Sequence, residues 1–310
     1  MNLAKVRVFL FVIGLVACCT PFVGTAAALI SGVFLSLVVG NPWPKGTSRL
    51  SKILLQLSVV GLGFGLGLGE VIHTGKQSII YTAVGITLTL AIGYGLGKLY
   101  RTERNTSTLI SFGTAICGGS AIAAMAPVLK AKDEETAIAL ATVFTLNAVG
   151  LVLFPPVGHF LHLNQEMFGT WAGLAIHDTS SVVGASAAYG AQALAVGTTV
   201  KLTRTIWIMP VVMGTAWGMK SEQKVKIPLF ILGFIVAATI RTLLPDFNAV
   251  WGSLAGIAKQ SLVATLFLIG TGLSREVLKK VGIRPMLQGV TLWFLVGTMT
   301  LVALLLIGLV

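Results

Sequence analysis

Charge is what this sequence has least of. Only 10 Asp and Glu occur in 310 residues, and charged residues of both signs make up 10%. Soluble domains carry about 25%. The polar stretches between apolar runs, such as 41–46 and 221–224, are too short for an inserted soluble domain. A water-soluble enzyme, a nucleic-acid-binding domain and a disordered chain are therefore excluded. The three cysteines, Cys18, Cys19 and Cys117, all sit in apolar surroundings. They form neither a metal-spaced set nor a disulfide framework, so no metal site and no cofactor is expected. Gly-x-Ser-x-Gly, His-Glu-x-x-His and paired catalytic aspartates are also missing, which argues against an intramembrane enzyme.

What the chain does have is apolar length. Hydrophobic residues make up 55%, and the mean hydropathy is +0.92. At about 20 apolar residues per spanning helix, the pattern resolves into eleven segments near 5–20, 22–40, 50–70, 78–100, 106–130, 134–160, 166–190, 192–218, 226–244, 250–273 and 286–310. The expected fold class is an all-α polytopic membrane protein with about 11 transmembrane helices. Lys5 and Arg7 followed by an apolar run, with Leu15-Val16-Ala17-Cys18 after it, also fit a cleaved leader. A short first helix is preferred because the rest of the chain is itself multi-spanning.

The 22 Lys and Arg give a net charge of +12. With the N-terminus inside and each segment crossing once, 15 of them fall on the inner side. Four, Lys76, Lys130, Lys132 and Arg241, fall outside. The positive-inside rule thus selects a cytoplasmic N-terminus and an external C-terminus. Lys201, Arg204 and Lys259 remain inside predicted spans, together with Asp178. Their sum of +2 favours an anion over a cation.

Eleven spans divide as one plus five plus five. An odd number per repeat gives two halves of opposite topology, a recurrent transporter plan. On this reading residues 1–310 form a single membrane domain. It has an extra helix at 5–20, a first repeat at 22–160 and a second at 166–310.

Two segments carry polar groups at mid-length. In Ala115-Ile116-Cys117-Gly118-Gly119-Ser120, paired glycines favour an unwound stretch with a helix restarting at Ser120 as N-cap. Such a restart offers N–H groups to an anion. The alternative is close packing through small residues. In Ala175-Ile176-His177-Asp178-Thr179-Ser180, consecutive polar residues need partners or water. An intramembrane Asp is a functional candidate, with a structural ion pair or a helix cap as the alternatives. Lys201 and Arg204, at i and i+3, share one helix face, and one of them is expected to neutralise Asp178. Lys259 could equally snorkel. Asn147 adds an amide suited to an interhelical hydrogen bond or a ligand contact. Pro155-Pro156 marks a kink or a helix end. The run from Gly61 to Gly69 suggests close packing or a sliding surface.

Residues 115–124 and 175–184 resemble each other, and a proline-containing helix follows each. If both segments are re-entrant hairpins instead of spans, they enter from opposite faces. Lys130 and Lys132 then move inward, and the charge count becomes 17 against two.

The strings 112–124 and 175–186, with Val200-Lys201-Leu202-Thr203-Arg204, resemble the YeiH-type bacterial membrane proteins, also called UPF0324 and often labelled sulfate exporters. The resemblance runs over most of the chain. It implies a fold related to the bile-acid symporter and cation/proton antiporter superfamily, with two inverted five-helix repeats whose fourth helices are broken and cross. Here those would be 106–130 and 250–273. It also raises sulfate or sulfite as the substrate.

The function expected is secondary active transport of a small inorganic or sulfur-containing anion, by one helical bundle moving against the other. Gly118, Gly119, Ser120, Thr179, Ser180, Lys201, Arg204 and Lys259 would hold the anion. His177 or Asp178 would carry a coupling proton, and Asn147 would add a polar contact. The alternatives are a cation/proton antiporter using Asp178 and an anion channel. The expected partners are the anion, H⁺ in preference to Na⁺, the bilayer of the bacterial inner membrane and a second copy of the chain, with no nucleic acid.

Overall fold

The computed structural model describes residues 3–219, 229–272 and 282–307. Among these the regular structure is helical, with no strand. In chain order the helices are α1 (Leu3–Cys18), α2 (Thr25–Val38), α3 (Pro44–Gly63), α4 (Leu68–Leu99), α5 (Arg104–Ala115), α6 (Gly119–Met125) and α7 (Asp133–Phe160). There follow α8 (Gln165–Ala175), α9 (Thr179–Tyr189), α10 (Ala191–Ile206), α11 (Ile208–Gly218), α12 (Leu229–Leu243), α13 (Asn248–Thr271) and α14 (Ile283–Ile307). Among the described residues four stretches are long and apolar enough to cross a bilayer: α4, α7, α13 with the 3-10 turn before it, and α14. The chain is an all-α polytopic membrane protein.

The helices gather into two compact units. The first comprises residues 1–73 and 228–277, the second 74–227 and 278–310.

In the first unit α2 and α13 cross through reciprocal glycines. A side chain on Gly32 would strike the Phe267 carbonyl, and one on Gly270 would strike that of Leu29. Close backbone approach of this kind drives helix association in lipid. The glycine-rich end of α3 does the same. Gly61 lies on Ala258, and Gly63 lies on the Phe234 carbonyl and Ala237. Close packing is therefore what that run provides. Gln260 of α13 donates to the carbonyls of Cys18 and Thr20, at 2.9 and 2.8 Å, and so closes the end of α1.

In the second unit α7 is the yardstick. Its 28 residues span about 42 Å at ~1.5 Å each. At its start, Glu135 accepts from the Lys132 amide at 2.6 Å and from Asn105 at 3.1 Å. Both ends of the stretch 104–132 are thereby placed beside one end of α7. Between those ends the chain reverses. Gly113 of α5 packs against Ile122 of α6 and Val143 of α7, while Gly119 packs against Phe144 and Leu140.

At the other end of α7, Gly158 touches both Phe168 and Tyr189. Those two rings stack at 3.7 Å between centroids, only 6° from parallel. Tyr189 donates to the Leu163 carbonyl, and the Gln165 side chain accepts from the Gln192 amide at 3.0 Å. The stretch 163–192 therefore leaves and returns at that end. Residues 104–132 and 163–192 are two helical hairpins, α5–α6 and α8–α9, with mouths at opposite ends of α7.

This corrects the expectation that 106–130 and 166–190 each cross once. The interruption expected at Gly118–Gly119 is present, but the chain turns back there. Gly118 has φ +65° and is the residue before α6, so it and not Ser120 takes the N-cap position. A positive φ is readily available only to glycine. The second interruption lies at 176–178, whereas α13 is unbroken from Asn248 to Thr271, the described helical part of the 250–273 stretch. Pro155 and Pro156 lie inside α7, shortly before its end.

A labelling experiment separates hairpin from span. Lys130→Cys and Gln192→Cys, each made with Cys19→Ser to remove the exposed native thiol, should react with an impermeant maleimide from opposite membrane faces. Reaction of both from one face would return 106–130 and 166–190 to single crossings.

Candidate functional site at the hairpin tips

The two hairpins meet tip to tip midway along α7. The Asp178 amide donates to the Asn147 side chain at 3.1 Å, and Asn147 is the fifteenth of the 28 residues of α7. A Cβ on Gly118 would lie 3.3 Å from that of Asp178. Positive φ and this neighbour together require glycine there.

Each hairpin creates two helix ends inside the protein. The last carbonyls of α5 and α8 have no intrahelical donor, and in a membrane water does not supply one. The opposite face of α10 does. Lys201 Nζ donates to the Ile116 carbonyl at 3.1 Å and to the Ile176 carbonyl at 2.7 Å. Arg204 donates through Nε to Ala115 at 2.6 Å, through one terminal nitrogen to Thr114 at 3.0 Å, and through the other to Leu174. Lys201 is 0% exposed and Arg204 2%. Both cations stand at helix C-termini, where the helix dipole favours positive charge. Ile116 and Ile176 are equivalent positions in the two similar strings, so one ammonium group holds the same carbonyl of both hairpins.

Asp178 does not take either cation in the structure. Its carboxylate accepts from the Ser180 amide at 3.0 Å and from the Ser180 hydroxyl, capping α9. An Asp at this position satisfies a helix N-terminus and suits its positive end. Asp178 is half-buried, Thr179 and Ser180 are buried, Gly119 is half-buried and Ser120 is exposed. Around the tip several polar atoms are buried without a partner among the described residues. They are both ring nitrogens of His177, the Asn147 amide nitrogen and the hydroxyls of Thr114 and Thr198. Such groups are uncommon and point to a bound water or ligand. The His177 ring lies 6.4 Å from that of Trp293 on α14.

The structure thus gathers Gly118, Gly119, Ser120, Asn147, His177, Asp178, Thr179, Ser180, Lys201 and Arg204 in one unit around the two tips. Lys259 is not among them. It belongs to the first unit and is exposed on α13, which fits the snorkelling alternative. Thr198 and Trp293 were not anticipated. Thr198 precedes Lys201 by three residues on the same helix face, and that spacing was the available signal.

Loss of the tie should be costly. Arg204→Met strands three carbonyls and Lys201→Met two, at roughly 1–3 kcal/mol for each buried unpaired group. Both variants should melt below wild type in detergent, the Arg204 variant by more. Wild-type melting of either would show that the carbonyls find other donors.

A family described as Conserved hypothetical protein 698 matches the chain over residues 5–289. The chain is 67% identical over 304 residues to a UPF0324 membrane protein of Geobacter sulfurreducens, with 98% of each covered. It is 51% identical over 312 residues to one of Bdellovibrio bacteriovorus, covering 98% of this chain and 96% of the relative. A third, from Bacteroides thetaiotaomicron, is 49% identical over 285 residues, covering 91% of this chain and 86% of the relative. No solved structure matches. With near-full-length relatives at these identities, the chain belongs to the UPF0324 family of membrane proteins.

Proposed function

We propose that this protein is a secondary transporter of a small anion, bound where the two hairpin tips meet and moved by alternating access. The observation that carries the reading is the convergence of the hairpin tips midway along α7, with buried polar atoms unpartnered around them. Interrupted helices that present their ends to a mid-membrane site are a transporter device. The N-terminus of the eleven-residue α9 gives the site a positive end, and the buried charges Lys201 and Arg204 add to it.

The hydrogen bonds of the two cations bear on how the anion would be held. Lys201 gives two of its three N–H donors and Arg204 three of its five to carbonyls, so both are anchored, and we assign them more to field than to contact. Contact falls to the backbone at Gly118 and Gly119, the hydroxyls of Ser120, Thr179 and Ser180, and the unpartnered groups of His177 and Asn147. Sulfate- or sulfite-like oxyanions are the substrates favoured by the resemblance to labelled sulfate exporters, with export as the direction. Residence in the bacterial inner membrane, with the N-terminus inside and the C-terminus outside, follows from the distribution of Lys and Arg. Making both 106–130 and 166–190 hairpins improves that distribution. H⁺ is the coupling ion proposed, with Asp178 or His177 as its carrier.

Thermal shift of purified protein tests the site. Sulfate, sulfite, thiosulfate, bicarbonate, small carboxylates, Na⁺ and Li⁺ would each be titrated at two pH values. One anion class should raise the melting temperature saturably, and the same anion should be accumulated by proteoliposomes. Stabilisation by Na⁺ alone would replace this reading with a cation/proton antiporter working through Asp178.

Asp178→Asn separates charge from structure, because Asn caps a helix about as well as Asp. If Asp178 carries the proton, the variant should keep anion exchange and lose accumulation driven by a pH gradient. Loss of both together would make Asp178 structural.

A further inference from the structure

Between α4, α8, α10 and α14 of the second unit lies a cavity of about 380 Å³. Val84, Leu88, Leu174, Val296 and Met299 give it apolar walls, and Arg204 reaches its depth. Val84, Leu88 and Met299 are 54, 44 and 43% exposed. They stand on α4 and α14, two of the helices suited to cross the bilayer, so the mouth of the cavity opens toward hydrocarbon.

A much smaller hollow adjoins it, sharing Tyr81 and Leu304. Its lining is of another kind, with Ser78, Thr170 and Glu166. Glu166 is in the first turn of α8 at the hairpin mouth, while Leu174 is in the last turn near the tip. Over these eight residues, about 12 Å at ~1.5 Å each, the lining passes from mixed polar and apolar to almost wholly apolar. A water-filled space with such inner walls is disfavoured, and an empty one forfeits contacts.

We propose that this groove is a lipid site that holds one acyl chain of a phosphatidylethanolamine. The chain lies between α4 and α14 and reaches Leu174 and Arg204. The ester region lies beside Tyr81, which borders both spaces, and the ammonium of the headgroup faces the exposed carboxylate of Glu166. The polarity gradient selects an amphiphile, the lateral mouth selects a membrane lipid, and the charge of Glu166 favours a zwitterionic headgroup that ends in an ammonium over an anionic one. This inference stands without the transport reading of the hairpin tips. It places a lipid against the arginine that ties the hairpins together.

Native mass spectrometry of the full chain, purified from bacterial membranes in mild detergent, reads the site directly. Wild type should retain one phospholipid per chain. After delipidation it should rebind palmitoyl-oleoyl phosphatidylethanolamine at least tenfold better than palmitoyl-oleoyl phosphatidylglycerol. Gly85 lines the cavity, and a Cβ there meets nothing within 4 Å, so Gly85→Trp should fill the space and fold normally. Ala303→Trp blocks it from α14 and guards against a folding failure of the first variant. Both should lose the retained lipid while melting cooperatively. Glu166→Gln should abolish the headgroup preference and keep chain retention. A wild type carrying only detergent, or tryptophan variants that retain lipid like wild type, would overturn the site. An unchanged preference in Glu166→Gln would overturn the headgroup placement.

Discussion

The architecture depends on one demand, that the carbonyl ends of two interrupted helices find donors away from water. Turning a chain back inside a membrane exposes helix termini where each unpaired group costs several kcal/mol. Five carbonyls, those of Thr114, Ala115, Ile116, Leu174 and Ile176, receive nitrogen donors from Lys201 and Arg204. Two cations are themselves expensive in hydrocarbon. Here each cost offsets the other, because a buried cation needs acceptors and a helix C-terminus presents them with a favourable dipole. Neither hairpin would be stable at this depth alone. The tie also fixes where the tips lie, and hence where α9 begins and what faces Asn147.

The two tips are alike in geometry and unlike in chemistry. Ile116 and Ile176 present equivalent carbonyls to one ammonium group. Two residues on, the first hairpin has Gly118 and the second has Asp178. Gly118 turns by a positive φ that other residues rarely adopt. Asp178 turns in extended backbone and spends its carboxylate on the start of α9. Having no side chain at the first position makes room for the one at the second. A near-symmetric pair of tips therefore carries a carboxylate on one side only.

Much of this was legible in the sequence, and what was not has a physical reason. The mid-segment Gly-Gly and His-Asp strings mark interruptions because both oppose a continuous apolar helix. The basic pair at 201 and 204 is conspicuous because charge is otherwise so scarce. Direction is another matter. Hydropathy measures how much of a segment lies in lipid and not whether it leaves by the face it entered. Only the loop charges, 17 against two for hairpins and 15 against four for spans, leaned toward the fold observed. The acceptors of Lys201 and Arg204 are backbone carbonyls, which every residue has and no sequence displays. Pairing them with Asp178 was the natural inference from side chains alone. Lys259 matched the others in hydropathy context, yet its helix face is exposed, and a long stem can carry that charge to the interface.

Engaging the cations with backbone alters how the tips can discriminate ions. A guanidinium in contact with a ligand selects by shape, through a planar fork matched to an oxyanion. A guanidinium that gives three of its five N–H donors to carbonyls is fixed in orientation and would act on a ligand mainly through its field. That field persists, because buried charges interact strongly over several ångströms where the effective dielectric is low. Asp178 opposes it and the start of α9 reinforces it. Sign selection would then belong to α10, and shape selection to the hydroxyls and backbone of the tips. On the transport reading proposed above, this division would leave Lys201 and Arg204 in place while a ligand entered and left, so the donors that hold the hairpins together would not have to be released.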